Sequence, residues 1–100
     1  MDPFAKRRIG RTDLMLPQLV VFSPRGQTLE YARHVGEEFA TVLSGSIEID
    51  FADARQPVQL AKGDSAYFDA RLPHIYRNQG NAEARLVAVC TPPIASSHSR

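Results

Sequence analysis

Turn signals interrupt this chain about every eight to twelve residues, and no segment between them has a convincing helical period. Ser23-Pro24-Arg25-Gly26, Ser44-Gly45-Ser46, Lys62-Gly63-Asp64 and Gln79-Gly80-Asn81 each combine residues that set or permit tight backbone reversals. The runs between them are rich in β-branched and aromatic side chains. Ser46–Phe51 reads Ser-Ile-Glu-Ile-Asp-Phe, a strict polar and apolar alternation that predicts a half-buried strand. Leu19–Phe22, Thr28–His34, Phe39–Leu43, Val58–Leu60, Ser65–Phe68, His74–Arg77 and Glu83–Thr91 are the other strand candidates, the last closed by Pro92-Pro93. Phe39–Leu43 and Ser46–Phe51 are expected to form a hairpin, with Gly45 supplying a positive φ. Many short strands with this rhythm predict an all-β sandwich or small barrel.

One hundred residues make one domain with a modest core. A formal net charge of +1 gives no reason to expect binding to nucleic acid or an anionic membrane. The basic residues Lys6, Arg7, Arg8 and Arg11 lack interleaved aromatics for base stacking, and no apolar h-region of a secretory signal follows them. No apolar run approaches the roughly 20 residues of a membrane helix. Residues 1–16 are expected to be a basic arm or linker, 17–94 the folded domain, and 95–100 a disordered tail. Cys90 is alone, which excludes an internal disulfide, suits a cytoplasmic protein, and reads as a small apolar side chain buried in a strand.

The chemistry concentrates in His34-x-x-x-Glu38 and, later, Pro73-His74 with Asn78. Side chains alternate faces along a strand, so His34 shares a face with Ala32, Glu38 with Ala40 and Val42, and His74 with Tyr76 and Asn78. If those faces point into one interior, His34, Glu38 and His74 converge while the aliphatics fill the closed end. Imidazole nitrogen and carboxylate oxygen suit zinc, iron, nickel or manganese. Tyr67, Tyr76 and Asn78 are expected to line a ligand pocket, although Asn78 also suits fixing a strand end. Glu37 is expected to face solvent, away from Glu38.

Gly26, His34, Glu38 and Gly45, followed by Gly63, His74 and Asn78, stand in the order and spacing of the two cupin motifs, and the chain from about Gln18 to Pro93 resembles the cupin superfamily. The resemblance implies an antiparallel β-barrel of jelly-roll type, with His34, Glu38 and His74 as the metal-ligand positions that remain. Ala32 stands where the first motif has its first histidine, and Asp69 and Arg71 replace the Pro and Gly of the second motif. A narrower likeness is to the C-terminal sensor cupin of helix-turn-helix transcriptional regulators. It is carried by His34-Val-Gly-Glu-Glu-Phe-Ala-Thr-Val-Leu-Ser-Gly45, Leu60-Ala-Lys-Gly-Asp-Ser-Ala-Tyr-Phe-Asp69, Leu72-Pro-His74 and Val89-Cys-Thr-Pro-Pro93.

In that family a separate domain binds DNA and the cupin binds a small effector. These hundred residues have no room for the DNA-binding half, so direct nucleic-acid binding is not expected of them. The expected function is therefore small-ligand binding of the regulator-sensor type, in a homodimer, with a divalent metal in the pocket. The alternative is a small metal-dependent enzyme of dioxygenase, isomerase or hydrolase type.

Overall fold

The computed structural model describes residues 9, 14–28, 31–53 and 55–92. The expectations for a basic arm and a disordered tail therefore fall largely or wholly outside the described residues. Among the described residues seven strands account for the regular structure: β1 Leu16–Phe22, β2 Glu37–Ser44, β3 Ser46–Phe51, β4 Val58–Ala61, β5 Ser65–Asp69, β6 His74–Arg77 and β7 Ala84–Thr91. They form two antiparallel sheets, a four-stranded one in the order β1-β7-β2-β5 and a three-stranded one in the order β4-β3-β6. All-β antiparallel architecture is thus what the sequence rhythm produces. Among the described residues the two sheets are not joined into one closed ring of strands.

The expected hairpin between β2 and β3 does not form. β2 pairs with β5 and β7, whereas β3 pairs with β4 and β6. A register shift between Val42 and Ser44 bulges the end of β2, and Gly45 follows at φ 74°. A bulge bends its strand, and a single left-handed residue then turns the chain a corner into the other sheet. A Cβ on Gly45 would lie 2.9 Å from that of Ala84, so the corner also requires a residue without one. The positive φ was legible; the sheet change was not.

Among the described residues of Thr28–His34 there is likewise no continuous strand. Gln27 and Ala32 make isolated antiparallel bridges to Arg77 and His74, so these two residues lie at the free edge of β6. Tyr31 Oη donates to Asp50 (2.9 Å) and Arg77 reaches the same carboxylate (2.5 Å), tying the segment to the outer face of the smaller sheet.

Inward positions stack in rungs between the sheets. Val42, Leu86 and Ile47 fill one end, and Ala40, Ala88, Ile49 and Tyr76 lie in the middle. At the other end Glu38 faces Cys90 on one side and Phe68 on the other, while His74 faces Phe51 across the smaller sheet. The aliphatic end supplies the burial that holds the fold, at about 25 cal/mol per Å² of apolar surface. The polar end is left for chemistry.

Candidate functional site

Each polar side chain reaches that end for a local reason. Glu38 is inward because β2 alternates, with Glu37 and Phe39 turned out. His74 opens β6 after Pro73, and its N–H and carbonyl pair with Ala32 (2.9 and 2.8 Å). His34 is held by its backbone N–H, which donates to Ala70 O (2.9 Å), while Ala70 N–H returns to Gly36 O (2.9 Å). Gly36 makes this loop possible. It adopts φ 105°, and a Cβ there would fall 1.6 Å from the Thr91 carbonyl oxygen.

The three side chains meet at one carboxylate oxygen. His34 Nε2 is 2.9 Å and His74 Nε2 is 3.3 Å from Glu38 Oε1. Tyr76 Oη donates to Glu38 Oε2. The side chains of His34, Glu38 and His74 are 6%, 5% and 3% exposed, so the cluster is sealed by its neighbours. Phe68 stacks edge-on against His74, with ring centroids 4.9 Å apart, and Phe51 packs against Phe68 in turn.

Hydrogen bonding fixes the roles of the two imidazoles. Leu72 O is an acceptor 2.7 Å from His74 Nδ1, so that nitrogen carries a proton and donates. His74 Nε2 is left facing Glu38 with either a second proton or a cation between them. Among the described residues His34 has partners at Nε2 alone, and its buried Nδ1 has no hydrogen bond.

The electrostatics follow from this geometry. Burial works against the Glu38 carboxylate, but hydrogen bonds from His74 and Tyr76, the His74 charge and the His34 bond together lower its pKa from 4.5 to about 2. Burial also disfavours imidazolium at His74, yet Glu38 and the Leu72 carbonyl raise its pKa above the usual value. Burial and the adjacent carboxylate raise Tyr76 far above the ordinary phenol range, so it remains a donor.

The structure brings together His34, Glu38, His74 and Tyr76 of the residues singled out from sequence. It does not bring Tyr67 or Asn78 to them. Tyr67 lies on the outward face of β5, 70% exposed, with its hydroxyl 2.5 Å from Glu37 Oε1. Asn78 is buried beyond Tyr76, where its amide donates to Ser23 O (3.0 Å) and Ala82 O (2.8 Å) and accepts from Gly80 N–H (3.0 Å). Its contacts pin strand ends, the other role its sequence position allowed. Ala32 is exposed and contributes backbone alone.

Cys90 is the member that sequence reading missed. Its register partner across β2 is Glu38, and Sγ lies 3.5 Å from Glu38 Oε1 and 4.0 Å from His34 Nε2. The ligand-capable atoms of His34, Glu38 and Cys90 all fall within 4.8 Å of one another. Burial and the Glu38 charge push the Cys90 thiol up to about 12. The donor set of two imidazoles, a carboxylate and a thiol fits a borderline divalent metal. A His74 imidazole locked at Nδ1 by a backbone carbonyl has the arrangement usual for a metal-bound histidine.

Residues 18–90 match the family model described as Cupin domain. The chain belongs to the cupin family. Among curated proteins, this cupin is 35% identical over 69 residues to Protein SchB of Streptomyces halstedii, and the match covers 69% of the cupin and 49% of SchB. The chain therefore spans about half the length of that curated relative. Among solved structures, it is similar to the cupin domain of an XRE-family transcriptional regulator from Enterobacter cloacae. There the TM-score is 0.71 at 19% identity, covering 81% of this cupin and 84% of that chain. It is also similar to the polyketide cyclase RemF from Streptomyces resistomycificus, with TM-score 0.71 and 21% identity, covering 82% of this cupin and 57% of RemF. At such identities the structural likeness establishes the fold.

Proposed function

We propose that this cupin is a small-ligand-binding domain of the regulator-sensor type, whose pocket is organised around a divalent metal held by His34, Glu38 and His74. The observation that carries the reading is the sharing of Glu38 Oε1 by two imidazoles, one of them fixed as its Nδ1–H tautomer by Leu72 O. A metal held there would polarise a carboxylate or hydroxyl oxygen of the ligand. Glu38 supplies the negative charge, His74 stays oriented by Leu72, and Tyr76 holds the second carboxylate oxygen in place. Phe51 and Phe68 exclude water from one side of the cluster. The fold likeness to a transcriptional regulator's cupin domain supports a sensor role. The inward-facing rungs of two opposed sheets agree with the jelly-roll barrel of the family.

The reading includes a cytoplasmic homodimer. Val21, Phe39 and Leu43 are 39–47% exposed on the outward face of the four-stranded sheet, an apolar surface that a second copy would cover. Among the described residues no helix is long and apolar enough to cross a membrane.

A second reading, a metal-dependent cupin enzyme, is favoured by the buried Tyr76–Glu38–His74 chain, which can hold and move a proton next to a bound ligand. The fold likeness to RemF is compatible with it.

Elemental analysis after gentle purification tests the common core of both readings. Near-stoichiometric metal is expected in wild type, with large losses in His34→Ala and His74→Ala. Calorimetric titration with small carboxylic acids then favours the sensor if binding occurs without turnover. Oxygen uptake or product formation on substrate addition favours the enzyme. Unchanged metal content and ligand binding in both histidine variants would remove the proposed site.

A further inference from the structure

Cys90 sits on β7, the strand between β1 and β2, so its backbone is fixed by ladders on both sides. A buried cysteine that serves only as apolar filler has no need of polar neighbours. This one places Sγ 3.5 Å from Glu38 Oε1 and 4.0 Å from His34 Nε2. Those two atoms are themselves 2.9 Å apart. A tetrahedral zinc site with ordinary bond lengths has nitrogen–oxygen edges of about 3.3 Å and edges to sulfur of about 3.6 Å. Each of the three observed separations lies within about half an ångström of the corresponding edge.

His34 gives a second observation. Its side chain is 6% exposed and among the described residues Nδ1 has no hydrogen-bond partner, so the ring's polar contacts there are those of Nε2, directed into the cluster. His74 touches the same carboxylate oxygen from the opposite sheet, but the compact trio is His34, Glu38 and Cys90.

We infer that Cys90 is a metal ligand in this cupin, joining His34 and Glu38, with His74 as the remaining donor. The inference rests on the metal-centred reading above and narrows it. A thiolate among the donors favours zinc or ferrous iron over manganese, which prefers oxygen ligands. On binding, the Sγ–H bond breaks, the proton leaves to solvent, and the sulfur electron pair forms the bond to the metal, so uptake releases a proton.

Cobalt(II) titration of chelator-treated protein provides the test, read by absorption spectroscopy. Wild type should show a near-ultraviolet sulfur-to-cobalt charge-transfer band together with visible d–d bands. Cys90→Ala and Cys90→Ser should lose the charge-transfer band, retain weaker d–d bands, and bind zinc about a hundredfold or more less tightly. That loss is at or above the range for removal of an outer-shell partner.

Visible bands without charge transfer in wild type, or a charge-transfer band that survives in Cys90→Ala, would overturn the Cys90 assignment and leave a metal site of other donors. No cobalt binding at all would overturn both readings. X-ray absorption on zinc-loaded wild type needs no variant to fold. A sulfur shell at about 2.3 Å supports the assignment, and a shell of nitrogen and oxygen alone refutes it.

Discussion

Replacing Glu38 by Gln keeps the shape of the side chain and removes the charge that organises the cluster. In the metal-free protein the wild-type carboxylate titrates at about 2 when folded, against 4.5 ordinarily. At about 1.4 kcal/mol per tenfold change in proton affinity, that depression is worth about 3 kcal/mol of folding stability. The folded pKa lies below the unfolded one, so the contribution is fully present above pH 4.5 and is lost as pH falls through about 2. His74 shows the opposite sign. Its folded pKa is raised above 6.5, so its share is fully present below pH 6.5 and is lost as pH rises through the folded value. The attraction between the two is one quantity seen from both ends. It is complete between about pH 4.5 and 6.5.

Urea denaturation of chelator-treated wild type and Glu38→Gln, followed across this pH range, measures the difference. At pH 5.5 the variant should be less stable by about 3 kcal/mol. With a urea dependence of about 1–2 kcal/mol per molar, its midpoint should fall by roughly 1.5–3 M. The two curves should converge toward pH 2. Asp50, Asp53 and Asp69 also have lowered pKa values, through their arginine partners and local hydrogen bonds, but they are common to both proteins and cancel in the difference. A stability difference that stays constant from pH 5.5 to 2, or is absent at pH 5.5, would refute the reasoning.

Gly36→Ala should cost about 3–5 kcal/mol, combining left-handed strain with overlap against the Thr91 carbonyl, and thermal denaturation would show it as a large fall in Tm. A melting temperature within a few degrees of wild type would contradict that close approach. Asn78→Ala should lose about 1–3 kcal/mol, because the backbone acceptors at Ser23 and Ala82 lose the donor that buried Asn78 supplies, while metal content per folded molecule stays unchanged. Chemical denaturation with elemental analysis checks both halves of that expectation. Phe39→Glu should convert the proposed homodimer to a monomer in sedimentation velocity; an unchanged sedimentation coefficient would remove this face as the dimer contact.

The strands were legible because Ser46–Phe51 and its neighbours carry a period of two, a property of the local chain. Sheet membership was not local. Ser44-Gly45-Ser46 has the same composition whether the chain folds back on its own strand or turns a corner. What distinguishes the two is the bulge at the end of β2 and the approach of Ala84, nearly forty residues on. Tyr67 illustrates the same limit at the scale of one strand. Ser65-Ala66-Tyr67-Phe68-Asp69 offers two adjacent aromatics on opposite faces, and pairing with β2 places Phe68 opposite Glu38.

The site divides along that line. His34, Glu38 and His74 were found by spacing within two motifs, each of which is local in the sequence. Cys90 lies in Leu86-Val87-Ala88-Val89-Cys90, where every residue is apolar and alternation gives no facing. Only the β2–β7 register, which opposes Glu38 to Cys90, turns its thiol toward the carboxylate. Parity held a partial signal: Cys90 shares a face with Ala84, Leu86 and Ala88, the small and fully apolar side of the strand. A polarizable thiol ending such a row, opposite a strand whose inward series begins with glutamate, has an ionisable neighbour across the ladder. In the proposed centre the exposed Ala32 adds no donor, whereas the thiol of Cys90 lies beside the shared carboxylate oxygen of Glu38.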